Sequence, residues 1–110
     1  MSDDNQLFVP PSFIALYVAP NRIKPSIGRD ELVRRYEFCE DLATLLTEHA
    51  NNQLFDLGIA ETDVLERCHA GLLVEGSGVD AHEAGWVIRR LAELLQWPMP
   101  TALIPDPPGG

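Results

Sequence analysis

Two tryptophans and an arginine near the C-terminal end have the clearest potential for chemistry, and the chemistry that they suggest is binding. At about 100° per residue, Trp86, Arg90 and Trp97 fall on one side of a helical pattern. Tryptophan and arginine are enriched at the hot spots of protein interfaces. Arg90 also lies one turn from Trp86, close enough to stack on the indole. We therefore predict that these three residues bind a partner protein.

The alternative is that the N-terminal segment of the same chain covers this face. The apolar stripe of the same helix is complete without either tryptophan, and several large apolar residues near the N-terminus need a surface on which to pack: Phe8, Phe13, Leu16 and Tyr17. If they cover the face, Trp86 belongs to the core of the fold. A groove beneath the N-terminal segment would then be the alternative site, for a small ligand or for catalysis.

The residues that could bind a metal or act as nucleophiles do not have the spacing that either role requires. The candidate ligands are scattered along the chain: Cys39, His49, Cys68, His69, His82 and Glu83. Trp86 stands where a zinc-protease motif beginning at His82 would place its second histidine. The serines that could act as nucleophiles lie in turn or cap contexts: Ser12, Ser26 and Ser77. We expect no metal, no cofactor and no catalytic residue, and hence a protein that is not an enzyme.

Two further patterns are superficially similar to phosphate-binding motifs. The glycines of residues 71–77 echo a nucleotide loop, but the loop has no lysine and Glu75 stands where the anion would sit. The two helical patterns around Gly76 and Gly78 could form a helix-turn-helix, but the second begins with Asp80 and Glu83, which would face phosphates. We expect neither nucleotide nor nucleic acid as a partner.

Three amphipathic patterns must position these residues, over about 29–50, 61–73 and 80–97. In the first, apolar residues recur at spacings of three and four: Leu32, Tyr36, Cys39, Ala43, Leu46 and Ala50. A second apolar line, formed by Phe38, Leu42 and Leu45, predicts that this helix contacts two or more neighbours. The helix ends either at Asn51 or at Gly58. In the second helix, four residues are predicted to face inward: Val64, Leu65, Cys68 and Leu72. Asp80 and Glu83 have the spacing of a capping box and open the third helix.

The ends of the chain differ in character from its centre. Residues 1–11 are predicted to form a flexible arm. Residues 12–18 are predicted to be an apolar extended segment that packs on the helices, with one turn of helix as the alternative. Residues 12–97 then form a single helical domain. The proline- and glycine-rich residues 98–110 are predicted to be a disordered tail. The predicted fold is all-α, with three main helices.

Charge and length limit the classes of partner. The chain has 110 residues and a net charge of −9, with most of its basic residues lying between Arg22 and Arg35. Such a chain repels phosphate backbones and anionic membranes. The apolar run from Phe13 to Ala19 is too short to span a bilayer and follows acidic residues rather than basic ones. We expect a cytoplasmic protein with reduced cysteines.

Residues 8–17, Phe-Val-Pro-Pro-Ser-Phe-Ile-Ala-Leu-Tyr, and residues 35–43, Arg-Tyr-Glu-Phe-Cys-Glu-Asp-Leu-Ala, together carry a resemblance. They resemble small uncharacterised proteins of β- and γ-proteobacteria, over most of the chain except the tail. Some of those proteins carry a label that implies an ATPase with chaperone activity, but no phosphate loop or acidic metal-binding strand accompanies it here. The resemblance implies a bacterial, cytoplasmic origin and supplies no catalytic residues.

These patterns together predict a small acidic helical protein that acts as a non-enzymatic interaction module, as an adaptor or a regulator. Its partner is an unidentified protein, and neither the partner nor the oligomeric state follows from the residues. The alternative is a ligand-binding or catalytic domain with a pocket beneath the N-terminal segment. An exposed aromatic patch favours the first, and a pocket with convergent polar groups favours the second.

Overall fold

Four α-helices and one short 3-10 helix make up the described part of the chain, which in this computed structural model comprises residues 8–100 and residue 103. In chain order they are α1 (Pro11–Ile14), the 3-10 helix (Ala15–Tyr17), α2 (Arg29–Leu57), α3 (Glu61–Leu72) and α4 (Ala81–Leu95). No described residue lies in a β-strand. The predicted all-α fold, with three main helices, is confirmed.

The longest helix, α2, continues past the two asparagines and ends at Gly58. Gly58 has φ 62°, a left-handed conformation that closes a helix and that glycine adopts without steric cost. Asp30 and Glu31 lie in the first turn, where carboxylates interact favourably with the helix dipole. The predicted inward positions hold: Leu32, Cys39, Ala43 and Ala50 are buried.

Local signals also account for α3 and α4. The four buried residues of α3 are the four predicted to face inward: Val64, Leu65, Cys68 and Leu72. At the start of α4 the capping box is complete, because the Glu83 amide donates to Asp80 Oδ1 and the Asp80 amide donates to Glu83 Oε1. The last helical residue is Leu95, two residues earlier than predicted, and Gln96 closes the helix in a left-handed conformation with φ 60°.

Substitutions at Gly58 and Gln96, the two residues that close α2 and α4 in a left-handed conformation, should have opposite effects on stability. Gly58→Ala should lower the free energy of unfolding by about 1–2 kcal/mol, because a β-carbon is disfavoured at positive φ. Gln96→Gly should raise it by about 0.5 kcal/mol or more, because it relieves the same strain. Urea denaturation followed by circular dichroism measures both. Two changes of the same sign would contradict this explanation of the helix ends.

The N-terminal segment is helical, whereas the sequence predicted an extended conformation. Pro10 is extended and Pro11 occupies the first helical position, where the missing amide of proline costs nothing. The amides of Phe13 and Ile14 then donate to the Pro10 carbonyl. A lone apolar segment without a neighbouring strand satisfies its backbone groups within itself, and a helical turn does so. We call residues 8–18 the arm, which includes only the last four residues of the predicted flexible arm.

The core lies around α4, which packs against α2, α3 and the arm. Its largest fully buried side chains come from all four: Phe13, Cys39, Val64, Leu65, Val87, Ile88 and Leu91. The fold extends beyond both predicted ends, because Val9 is buried and Met99 and Leu103 pack against the core. Of the predicted flexible arm, residues 1–7 lie outside the described residues, as do residues 101, 102 and 104–110 of the predicted tail. No helix within the described ranges has the length and apolarity to cross a membrane.

Candidate functional site

The arm covers the face of α4 on which partner binding was predicted. Trp86 is only 4% exposed. Its indole Nε1 donates a hydrogen bond to Ser12 Oγ at 3.0 Å. The Phe13 ring lies edge-on to the indole, with 5.1 Å between the ring centroids. The prediction of an exposed aromatic patch at Trp86 is therefore wrong, because the arm supplies the covering surface within the same chain.

Phe13 is the anchor of the arm. It is fully buried, and its ring contacts three other aromatic rings at centroid distances of 5.1–5.6 Å: Tyr17, Tyr36 and Trp86. The contacts with Tyr36 and Trp86 are edge-to-face, an arrangement that adds to the gain from burying apolar area. This aromatic cluster joins the arm to both α2 and α4.

Arg90 and Trp97 occupy different environments from Trp86. Arg90 Nε donates to both carboxylate oxygens of Glu40, at 2.9 and 3.1 Å, and Arg90 Nη1 donates to Glu93 at 3.1 Å. These bonds raise the pKa of Arg90, despite the opposing effect of partial burial. Trp97 is partly buried and packs against the core. The three predicted residues therefore do not form one exposed binding surface.

A buried carboxylate beneath the arm is the feature that the sequence analysis missed. Glu83 is 3% exposed, yet it forms a bidentate ion pair with Arg35, with Nε–Oε2 at 2.9 Å and Nη2–Oε1 at 2.7 Å. The Tyr17 hydroxyl donates to the same carboxylate, and Arg35 Nη2 also donates to the Gly78 carbonyl at 2.7 Å. We call Tyr17, Arg35 and Glu83 the polar clamp. It ties the arm, α2 and α4 together.

The protonation states in the polar clamp follow from its contacts. Burial alone would raise the pKa of Glu83, but hydrogen bonds from Arg35 and Tyr17 outweigh it and lower that pKa. Burial and the adjacent carboxylate both raise the pKa of Tyr17. Glu83 is thus a carboxylate and Tyr17 a neutral donor across the neutral range. Since both carboxylate oxygens of Glu83 accept hydrogen bonds, one of them from the arm, the clamp serves to hold the arm in place.

The candidate metal ligands do not come together. Within residues 8–100 and 103, no three cysteine, histidine, aspartate or glutamate side chains are placed to share a metal ion. Glu83 points into the polar clamp, whereas His82 is exposed. Both cysteines are buried and free, and burial raises the pKa of the Cys39 thiol to about 12. A thiol with that pKa carries little of the reactive thiolate at neutral pH.

An exposed apolar surface lies along α2 and begins beside the polar clamp, because the Arg35 guanidinium lies 5.0 Å from the centroid of the Phe38 ring. Leu45 is 73% exposed and Phe38 is 41% exposed, and seven residues place them on the same side of the helix. The turn after α3 packs beside Phe38, because a β-carbon on Gly78 would lie 3.2 Å from its ring. Leu73 and Val74, which open that turn, are also exposed. We call Phe38, Leu45, Leu73 and Val74 the apolar face.

The prediction that α2 contacts two or more neighbours is confirmed, because α2 packs against both α3 and α4. Of the second apolar line, Leu42 packs against the core, whereas Leu45 is exposed. The signal for this surface was therefore present in the sequence as a second apolar line. Only the packing of the helices shows which side chains of this line stay exposed to solvent.

Comparisons of the chain with protein-family models, with curated proteins and with solved structures found no match.

Proposed function

We propose that this protein is an interaction module, and that its apolar face binds a basic amphipathic segment of a partner protein. The observation that carries the proposal is that Leu45, 73% exposed, and Phe38, 41% exposed, lie on one side of α2 at a spacing of two helical turns. Single exposed apolar residues are common, but a group of them on one side of a small protein is typical of an interaction site.

The charge beside the apolar face supports a basic partner. Glu37, Asp41 and Glu48 are exposed on α2 next to the line of Phe38 and Leu45. None of these carboxylates makes an ion pair within the described residues. Arg34, on the same side one turn earlier, is already paired with Glu31 at 3.6 Å. A segment with leucines on one side and lysines or arginines on the other would match both features.

The geometry favours a helical segment. Phe38 and Leu45 are separated by two helical turns, about 10.5 Å along α2 at 1.5 Å per residue. A partner helix lying along α2 would place apolar side chains against both, at the usual spacing of helical anchors. Its basic residues would then reach the carboxylates beside the line. Binding should therefore weaken as the salt concentration rises, because exposed ion pairs are screened.

The test uses a fluorescently labelled synthetic helix of leucine and lysine as the probe, with binding measured by fluorescence anisotropy. Leu45→Ser should weaken binding by about tenfold or more, as truncation of an interface hot spot does. Because Leu45 is mostly exposed, its replacement should leave the melting temperature nearly unchanged.

Phe55→Ser is the matched control. Phe55 is 90% exposed on the same helix, ten residues beyond Leu45, and lies outside the apolar face. The control variant should bind the probe as the wild type does. Equal binding by the Leu45→Ser variant would overturn the proposal. So would equally tight binding of a leucine and glutamate helix of the same pattern, since the proposal requires a basic partner.

A further inference from the structure

A cleft between the arm and α4 is lined by neutral residues, a histidine and an arginine, although the chain as a whole is acidic. It has a volume of about 540 Å³, within the range of small-molecule sites. The arm provides an apolar wall that includes Leu16 and Val18, and α4 provides His82 and Arg89. Among residues 8–100 and 103, no carboxylate lines the cleft, although the chain carries a net charge of −9.

Arg89 differs from Arg35 and Arg90 in its ion pairing. Arg35 is paired with Glu83 and Arg90 with Glu40. Arg89 makes no hydrogen bond or ion pair with any of residues 8–100 or 103. It also borders a second cleft that contains Glu40 and Glu93, but both of those carboxylates are bonded to Arg90. The Arg89 guanidinium is left with its donors open.

Other donors line the same cleft. Ser12 Oγ accepts the hydrogen bond from Trp86 Nε1, which leaves its own hydroxyl proton free to donate. Ser26 also lines the cleft, and its side chain has no partner within the described chain. His82 precedes Arg89 by seven residues, so that both lie on the same side of α4. Four side chains that can donate hydrogen bonds therefore line one cleft.

We propose that this cleft binds a small organic carboxylate with an apolar body. The guanidinium of Arg89 matches a carboxylate in a bidentate geometry, and Ser12 and Ser26 can donate to the same group. The apolar body would lie against Leu16 and Val18 on the arm. The absence of acidic lining residues removes the repulsion that an anion would meet elsewhere on this chain.

Octanoate is the probe, and binding is followed by amide chemical shifts in a titration. Wild type should bind octanoate saturably, with shifts centred on residues of the arm and on the part of α4 that includes His82 and Arg89. Acetate lacks the apolar body and octanol lacks the charge, so each should bind at least tenfold more weakly. Arg89→Gln should weaken octanoate binding about tenfold, because it removes the charge and the bidentate guanidinium but keeps a polar side chain.

Arg67→Gln is the matched control, because Arg67 is exposed on α3 and likewise unpaired within the described residues. It should bind octanoate as the wild type does. Equal weakening by Arg67→Gln and Arg89→Gln would show a general charge effect and overturn the proposal, as would unchanged binding by Arg89→Gln or an absence of saturable binding. Leu45→Ser should leave octanoate binding intact, so this inference and the proposed function can fail separately.

Discussion

Replacing Glu83 with alanine should lower the free energy of unfolding by about 3–5 kcal/mol, because it leaves a partly buried guanidinium without its partner. The same change removes the acceptor of the Tyr17 hydroxyl and one half of the capping box of α4. Thermal and urea denaturation, followed by circular dichroism at neutral pH, would measure the loss. A change below about 1 kcal/mol would show that the polar clamp contributes little to stability.

A double-mutant cycle with Arg35 separates the ion pair from its surroundings. Arg35→Met alone should also be destabilising, since it leaves the Glu83 carboxylate buried without its cation. The double variant that combines Glu83→Ala with Arg35→Met should lose less than the sum of the two single losses by about 1–3 kcal/mol. Strict additivity would mean that the two side chains do not interact energetically.

The Glu83 carboxylate also sets the pH dependence of this contribution. Its pKa in the folded chain lies below the ordinary value of 4.5, so the folded state favours the ionised form. The stabilisation is complete above the unfolded pKa and is lost as the pH falls through the folded pKa. The difference in stability between wild type and Glu83→Gln should therefore be constant near neutrality and should shrink below about pH 4.5. A difference that grows on acidification would contradict this assignment.

Phe13→Ala should cost about 3–5 kcal/mol of unfolding free energy, the range for truncating a buried phenylalanine. Phe13 is fully buried among three aromatic rings and anchors the arm, so its loss should release residues 8–18 from α4. Trp86 would then meet water, and its fluorescence emission should move to longer wavelength. Measuring emission in a Trp97→Phe background assigns the signal to Trp86.

Phe8→Ala is the control for the arm. Phe8 belongs to the same segment but is 74% exposed, so its removal should change the free energy of unfolding by less than about 0.5 kcal/mol. It should also leave the emission of Trp86 in place. If Phe13→Ala lowered stability without any shift of the emission, the arm would stay docked without its anchor, and Ser12 and Tyr17 would be sufficient to hold it.

The sequence by itself determined the helices, because their signals are local. A helix buries one side, and the spacing of its apolar residues is set by the helical repeat. The four inward residues of α3 and the Asp80 and Glu83 capping box were therefore correct before any packing was known. The end of α2 stayed open between Asn51 and Gly58, because a pair of asparagines and a left-handed glycine are both plausible stops.

Only the tertiary structure decided which side chains meet. Trp86 and Ser12 are 74 residues apart, and Glu83 lies 66 residues from Tyr17 and 48 from Arg35. No helical repeat relates such positions, because their distance depends on how the helices cross and on where the arm docks. The same packing covers Trp86 with the arm, which is one of the two possibilities that the sequence left open, and leaves Leu45 exposed. A side chain is buried only when another element packs on it, and the local sequence pattern describes the helix face but not the element that covers it.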